Sequence, residues 1–174
     1  GMDIHRQIFS VVCVLLGHGA QYYVIHKAFH EYPALYKYHK FHHQFNVYAP
    51  PSAANAVSFT EYSMAYVTPF IITTLIFPLD KLSLTIGAGI LSTCNILVHT
   101  PKLEAWAQRV LPEWWVTTHD HLEHHRKQQC HYSSSTFDFD YIVEVANNAL
   151  STLNAGSKSD LNNPKATSAA SPVR

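Results

Sequence analysis

Histidines dominate the chemistry that this sequence offers, and most of the thirteen lie in short groups. One pair is spaced four residues apart, and two groups follow the pattern H-x-x-H-H; the members are His26, His30, His39, His42, His43, His121, His124 and His125. Residues i, i+3 and i+4 share one face of a helix, so each group can direct two or three imidazoles towards one point. Pro33 is expected to end the first helix, which lets the second group turn back towards the first pair. Such spacing is typical of metal sites.

The number of grouped histidines predicts two metal ions with four or five ligands each. A single zinc site takes three or four protein ligands, and eight histidines exceed that number. His99, four residues after Asn95 at the end of an apolar segment, is a ninth candidate ligand. Imidazole binds iron, zinc, copper and nickel, so the ligand type leaves the metal open. An all-imidazole site beside apolar segments favours oxygen chemistry on a lipid over hydrolysis of a soluble substrate.

The overall composition excludes several other classes of protein. Twelve basic residues balance twelve acidic ones, which gives no electrostatic reason to expect a nucleic-acid partner. The three cysteines, Cys13, Cys94 and Cys130, are far apart, which argues against a disulfide framework or a cysteine zinc site. The G-x-G-x-x-G fingerprint of flavin and dinucleotide sites does not occur, so electrons for a redox reaction would come from outside this sequence.

Three apolar segments, at positions 8–25, 62–79 and 82–98, predict an all-α membrane protein. Each approaches the ~20 residues that a membrane crossing needs. The second and third are separated by Pro78 and Asp80-Lys81 and are expected to form a hairpin that leaves the histidine groups on one side of the bilayer. Two alternatives remain: buried helices of a soluble protein, and a signal peptide for the first segment. Aromatic residues beside the apolar runs favour the membrane.

The three histidine groups resemble the histidine boxes of a known superfamily. His26-Lys27-Ala28-Phe29-His30, His39-Lys40-Phe41-His42-His43 and His121-Leu122-Glu123-His124-His125 are similar to the boxes of the fatty acid hydroxylase/sterol desaturase superfamily. Their order also matches: two boxes close together, a membrane hairpin, a lone histidine and a third box. The resemblance covers positions 22–145 and is nearest to sterol-type members, the cholesterol 25-hydroxylase and methylsterol monooxygenase group.

The resemblance implies an enzyme with two iron ions that uses O2 to hydroxylate or desaturate a lipid. The implied ligands are the nine histidines named above, and the favoured substrate is a sterol. Electrons would come from an external NAD(P)H-linked donor, cytochrome b5 with its reductase. The implied location is the endoplasmic reticulum membrane, as a multi-pass helical bundle whose histidine-rich di-metal cap faces the cytosol.

Two departures from the superfamily pattern leave every implied ligand in place. Lys27 stands where family members commonly have Arg, and His131-Tyr132 stands where they commonly have Asn-Tyr. The chain also starts close to the first box, so the upstream membrane hairpin of typical members is expected to be missing. We therefore expect positions 1–150 to form an N-terminally incomplete catalytic domain and positions 151–174, rich in Ser, Ala, Asn and Lys, to form a disordered tail.

Other functions and other roles stay open at this point. Within the same chemistry, the substrate could be a fatty-acyl, sphingolipid or alkyl lipid. In other classes, the chain could be a catalytically silent paralogue or a histidine-rich membrane metal-binding protein.

Three acidic residues among the boxes, Asp120, Glu123 and Glu31, either orient ligand imidazoles or are solvated surface charges. His18, which lies within an apolar segment, is expected to make a helix–helix contact.

Overall fold

Residues 3–46 and 49–161 are described by the computed structural model, with side chains as far as Ala155. The α-helices in these residues are α1 (Ile4–Glu31), α2 (Pro33–His39), α3 (Phe59–Glu61), α4 (Thr68–Ile76), α5 (Lys81–Val98), α6 (Glu104–Val110), α7 (Thr118–Lys127) and α8 (Phe139–Leu161). A π-helical turn, Tyr62–Val67, joins α3 to α4, and 3-10 turns cover His42–Phe45, Pro51–Asn55 and Pro101–Leu103. Within these ranges, β-type pairing is limited to an isolated bridge between Trp115 and Phe137. The predicted all-α class is therefore correct for the described part of the chain.

Helix α1 is the element against which α4 and α5 both pack. Two glycines allow these helices to come close together. A Cβ atom added to Gly17 would lie 2.8 Å from Thr73 Cγ2, and one added to Gly87 would lie 2.5 Å from Val14 Cγ1. Both distances are too short for carbon atoms that are not bonded to each other, so only glycine fits at these positions without a shift of the neighbouring side chain.

The second and third apolar segments form two helices with a short connection, as predicted, although both pack chiefly on α1. Asp80 begins α5 by accepting hydrogen bonds from the backbone N–H groups of Leu82 and Ser83. The π-helical turn ends at Val67, two residues before Pro69, which has no N–H to donate to the α-helical hydrogen-bond pattern. Helix α4 ends at Ile76, three residues before the end of the predicted segment.

Two helices, α1 and α5, are long and apolar enough to cross a membrane, judged by length and composition. They contain the predicted segments 8–25 and 82–98. In their most apolar windows only 39% and 22% of the residues are buried, respectively. The core helix of a soluble protein buries most of its surface, so this exposure disfavours the soluble alternative. Large apolar side chains such as Ile71, Leu75 and Leu82 are exposed, as contact with lipid would require.

The chain contacts divide after Asp140, so the C-terminal segment is a unit of its own. Helix α8 continues to Leu161, and the described part of the expected tail, positions 151–161, is therefore helical. Ala, Leu and the short polar residues of this segment permit helix formation, although their composition alone predicted disorder. The rest of the expected tail, positions 162–174, lies outside the described residues.

Candidate metal centre

All nine predicted ligand histidines come together, and they form two groups. Within each group, one ring nitrogen from every member lies within 4.8 Å of the corresponding atoms of the others. Cluster A consists of His26, His30, His39, His43 and His124, and cluster B consists of His42, His99, His121 and His125. Eight of the nine side chains are buried, and His30 is half-buried. The structure thus places five and four imidazoles together, the numbers expected for two ions.

Each H-x-x-H-H box is divided between the two clusters. The second box places His39 and His43 in cluster A and His42 in cluster B. The third box reverses the pattern, since only its middle histidine, His124, belongs to cluster A. The third box lies wholly on α7, where residues i and i+4 point about 40° apart and residues i+3 and i+4 about 100° apart; in the second box, α2 ends at His39 and His42 and His43 follow in a 3-10 turn. The outer pair of each box therefore shares one cluster, and the middle histidine reaches the other.

In cluster A, His39 contacts two other imidazoles through the same nitrogen. Its Nε2 atom lies 3.0 Å from His26 Nε2 and 2.9 Å from His43 Nε2. His26 comes from α1, His39 from the end of α2 and His43 from the 3-10 turn that follows α2. The fold therefore brings imidazoles from three consecutive elements to one point.

Cluster B contains a triangle of Nε2 atoms. His121 Nε2 lies 2.9 Å from His99 Nε2, and His125 Nε2 lies 3.3 Å from His99 Nε2 and 3.2 Å from His121 Nε2. His99 directly follows α5, whereas the other two lie one turn apart on α7. Thr118, at the start of α7, donates a hydrogen bond to the carbonyl of Leu97, which ties the two helices together beside the cluster.

Backbone carbonyls fix the orientation of three of these rings. The Nδ1 atoms of His26, His99 and His124 lie 2.8, 2.7 and 2.7 Å from carbonyl oxygens, respectively. The carbonyls belong to Tyr132, Asn95 and Cys130. A carbonyl oxygen only accepts, so each Nδ1 carries the proton and each Nε2 presents its lone pair. This is the arrangement that metal-binding histidines commonly show.

The donor set fits a metal ion. The Nε2 atoms of His26 and His39 are 3.0 Å apart, and two lone pairs that face each other at this distance repel, which a cation bound to both nitrogens would relieve. The buried Nε2 atoms of His30 and His124 have no hydrogen-bond partner among the described residues. Buried polar atoms normally have partners, and a bound ion would supply one for each of these nitrogens.

Burial keeps these imidazoles neutral. It lowers the pKa of His43 and of His124 to about 3 and that of His99 to about 4. Neighbouring histidines contribute in the same direction, because two imidazolium ions repel each other at these distances. Burial also lowers the pKa of His42 and His121. A neutral imidazole is the form that binds a metal, so the site is ready for one at neutral pH.

One buried acidic residue at this site was not found by sequence analysis. Glu61 Oε1 lies 2.7 Å from His39 Nδ1, and the side chains are 1% and 0% exposed. Burial raises the pKa of Glu61 to about 9. In the sequence, Glu61 lies three positions after Ser58, and this spacing is typical of a helix N-terminal cap and does not indicate a contact with a histidine. Ser58 does accept a hydrogen bond from Glu61 N, but the Glu61 carboxyl group contacts His39 Nδ1.

The three acidic residues proposed from the sequence as ligand-orienting groups contact other partners. Asp120 accepts hydrogen bonds from Thr117 and forms the capping box of α7. Glu123 forms an ion pair with Lys127 and lies 3.2 Å from His131 Nε2. Glu31 lies 3.8 Å from Lys27 in an exposed pair. Asp120 therefore caps a helix, and Glu123 and Glu31 are paired with lysines; of the three, Glu31 is exposed, as the alternative interpretation of solvated surface charges expected.

Two further histidines contact neighbouring helices rather than the clusters. His18 Nε2 lies 3.2 Å from the carbonyl of Tyr66, as the expected helix–helix contact requires. His119 Nδ1 lies 2.8 Å from Glu104 Oε1, which joins α7 to α6.

A third group of possible ligands consists of Glu123, Cys130 and His131. The Glu123 carboxylate is already paired with Lys127 Nζ at 2.7 Å, and this cation would repel a metal ion. We assign no ion to this group.

Two cavities are lined in part by residues of α5. The larger, of about 370 Å³, is lined mainly by aromatic and small polar residues, among them Tyr62, Tyr66, Phe70, Leu91 and Asn95. The smaller, of about 240 Å³, is almost entirely apolar and is lined by residues that include Cys94, Leu97, Val98, Trp106 and Trp115. Ser135 lines both. The nine cluster histidines are not among the residues that line either cavity, but Asn95, which lines the larger one, accepts a hydrogen bond from His99 Nδ1 through its carbonyl oxygen.

The fold and the site together define a helical protein with candidate membrane spans and a buried, histidine-rich candidate metal centre. The family model described as fatty acid hydroxylase matches residues 11–144, more than half of the chain. The chain therefore belongs to the fatty acid hydroxylase family, in agreement with its three histidine boxes. No curated protein and no solved structure matches it. Family membership implies a membrane lipid hydroxylase or desaturase.

Proposed function

We propose that this protein is a di-iron membrane oxidoreductase that uses O2 to hydroxylate, or alternatively to desaturate, a lipid. The observation that carries the proposal is the pair of all-imidazole clusters, which lie side by side and share both H-x-x-H-H boxes. The rings of His43 in cluster A and His125 in cluster B have their centroids 4.9 Å apart. Because ligands of the two clusters are this close, two ions bound by them would be near enough to act on one O2 molecule.

The proposed ligands are the nine histidines: the five of cluster A for one ion and the four of cluster B for the other. Iron bound there would supply the redox chemistry that places one oxygen atom of O2 in a C–H bond and reduces the other to water, with two electrons and two protons. The chain itself orients the rings through carbonyl oxygens and Glu61 and keeps the imidazoles neutral through burial. Family membership favours iron among the metals that imidazole binds.

The lipid substrate is proposed from the cavities and from the second box. The almost entirely apolar walls of the smaller cavity suit an aliphatic or polycyclic chain, and volumes of a few hundred Å³ are usual for ligand pockets. His39-Lys40-Phe41-His42-His43-Gln44 resembles the sterol-type members of the superfamily, which favours a sterol. A fatty-acyl, sphingolipid or alkyl-lipid substrate is the alternative within the same chemistry.

The electron source and the location follow from the same family relationship. We propose cytochrome b5 and its NAD(P)H-dependent reductase as donors, since the sequence lacks a dinucleotide fingerprint. We propose the endoplasmic reticulum membrane as the location, with the clusters on the cytosolic side where these donors act. A membrane metal carrier would instead need histidines along its spans. In α5 the nearest proposed ligand, His99, comes directly after the helix ends.

Metal analysis of detergent-purified protein tests the proposal first. We expect about two iron ions per chain after anaerobic reconstitution; one zinc ion, or none, would count against a di-iron enzyme.

Lipid profiling then tests the activity. Cells producing the wild type, His124→Ala and His119→Ala are compared at equal expression with the electron donors present. His119 is the matched control, because it lies beside the third box but contacts Glu104 instead of a cluster. We expect a lipid product with the wild type and His119→Ala that is absent with His124→Ala. Identical profiles for all three would indicate a catalytically silent paralogue.

A further inference from the structure

We propose that the larger cavity, which is lined in part by α5, binds the polar end of a lipid whose polar group carries no net charge, such as a hydroxyl or an amide. The inference deepens the proposed function, on which it rests for the claim that this lipid is the substrate. The binding itself is a separate property, because it needs no metal ion. The inference narrows the substrate class to sterols and other lipid alcohols or amides and disfavours free fatty acids.

The walls of this cavity are polar without being charged. The lining includes two asparagines, three serines, two tyrosines and His18, together with apolar side chains such as Val67, Phe70 and Leu91. Of the described residues that line it, none is Asp, Glu, Lys or Arg. A ligand inside the cavity would therefore meet hydrogen-bonding groups and apolar surface but no opposite charge.

The ionisable groups in and beside the cavity do not change this conclusion. His18 is 3% exposed, and its Nε2 donates a hydrogen bond to the carbonyl of Tyr66 at 3.2 Å. An imidazolium buried here would have no carboxylate among the lining residues to balance it, so the ring is neutral. Glu61 precedes Tyr62 in the sequence, but it does not line the cavity, and its carboxyl group contacts His39.

The absence of charge from the described lining decides which polar groups can enter. Burying a carboxylate without a partner costs far more free energy than burying a hydroxyl or an amide that finds hydrogen bonds. Serine hydroxyls and asparagine amides both donate and accept, so they can satisfy an uncharged polar group. We therefore expect an uncharged amphiphile to bind about 100-fold more tightly than a carboxylate with the same hydrocarbon chain.

The cavity is adjacent to the candidate metal centre through two of the helices that line it. Asn95 of α5 lines the cavity, and its carbonyl oxygen accepts a hydrogen bond from His99 Nδ1 at 2.7 Å. On α1, His18 precedes His26 of cluster A by eight residues, which is about 12 Å along the helix. One ligand of each cluster therefore lies on, or directly after, a helix that also lines the cavity, as expected for a substrate-binding region.

Photo-crosslinking of the full chain, purified in a non-ionic detergent, tests the inference. A long-chain alcohol that carries a diazirine is bound, activated by light and mapped by mass spectrometry, and we expect adducts on lining residues such as Tyr62 and Phe70. Hexadecanamide and hexadecanoate, which have the same shape and differ in charge, then compete with this probe at about pH 9 and at equal mole fractions in the micelles. We expect hexadecanoate to require a concentration about 100-fold higher than hexadecanamide.

A variant with an added cation sharpens the comparison. Ser92 lines the cavity and is exposed, so Ser92→Arg would introduce a guanidinium there. Because this group can form charge-assisted hydrogen bonds with a carboxylate, we expect hexadecanoate to compete about tenfold better than in the wild type. Thr93→Arg is the matched control, because Thr93 is the next residue of α5, is also exposed and does not line this cavity.

The comparison in the wild type decides the inference even if Ser92→Arg does not fold. Adducts only outside the lining residues, a lack of adducts, or equal competition by hexadecanoate and hexadecanamide would overturn it. Adducts in the cavity with the expected preference for hexadecanamide would support it, whatever the metal content of the protein. The proposed function fails separately if the same protein, loaded with iron and supplied with electrons, yields no lipid product.

Discussion

His42 and His43 are adjacent in the sequence, yet they belong to different clusters, and their ring centroids are 5.6 Å apart. They lie in a 3-10 turn, in which consecutive side chains point about 120° apart. This one short turn therefore carries a ligand of each cluster, so the backbone between His42 and His43 joins the two clusters directly.

The first prediction uses this pair. His43→Ala should weaken the binding of one metal ion and His42→Ala that of the other, because each removes a single imidazole from a different cluster. Co²⁺ titration of each variant should show a different step affected, and the double variant should show both. If the two single variants weaken the same step, the division into clusters A and B is incorrect.

The second prediction concerns the pH dependence of the metal-free protein. The folded-state pKa values of His43 and His124 are about 3 and that of His99 is about 4, below the ordinary value of 6.5. Between these limits the unfolded chain binds protons that the folded chain does not, so the free energy of unfolding should fall as the pH falls from about 6.5 towards 3. Each such histidine contributes up to about 1.4 kcal/mol per pH unit.

Unfolding curves in detergent at pH values from 7.5 to about 4 measure this slope. His124→Gln removes one of these titrating groups, so the slope should become shallower by up to about 1.4 kcal/mol per pH unit. A stability that is independent of pH over this range would contradict the burial of neutral histidines. The metal-bound protein should also release its ions in acid, since protons compete for the same nitrogens.

The third prediction tests the packing of α1 against α5. Gly87→Ala should destabilise the protein by about 1–3 kcal/mol, because the new methyl group would lie 2.5 Å from Val14 Cγ1. Gly89→Ala is a matched control on the same helix, since nothing lies within 4 Å of its added Cβ. It should be neutral or stabilise by up to about 1 kcal/mol. Thermal unfolding in detergent compares the two, and an equal effect would mean that the helices do not approach each other at Gly87.

The fourth prediction concerns the loop that orients two ligands of cluster A. His131 has a φ angle of 55° and lies between Cys130 and Tyr132, whose carbonyls hold His124 and His26. A β-branched residue resists this left-handed conformation, at a cost of about 1–2 kcal/mol, whereas glycine accepts it. His131→Val should therefore weaken metal binding about tenfold or more, and His131→Gly should retain it.

Chelator competition with purified His131→Val and His131→Gly measures the difference. Equal affinities would mean that the two carbonyls keep their places without the left-handed residue. Loss of metal in both variants would point to the imidazole of His131 itself.

The sequence by itself determined the family of this protein and the candidate metal ligands. Spacings of three and four residues identified all nine histidines that the fold brings together, because these spacings are a local property of helices. Apolar length predicted α1 and α5, and the three boxes predicted the family. The end of α8 at Leu161 was not predicted, because the composition of positions 151–174 describes the segment as a whole and does not fix the residue at which a helix ends.

Only the tertiary structure decided how the histidines are shared and what supports them. The division of each box between two clusters depends on where α2 ends and on how α7 meets α5. The contact between Glu61 and His39 joins residues 22 positions apart, and the carbonyl of Tyr132 reaches His26 across 106 positions. Such contacts depend on how helices pack, and helix packing is set by side chains from several elements at once, so no local pattern in the sequence records it.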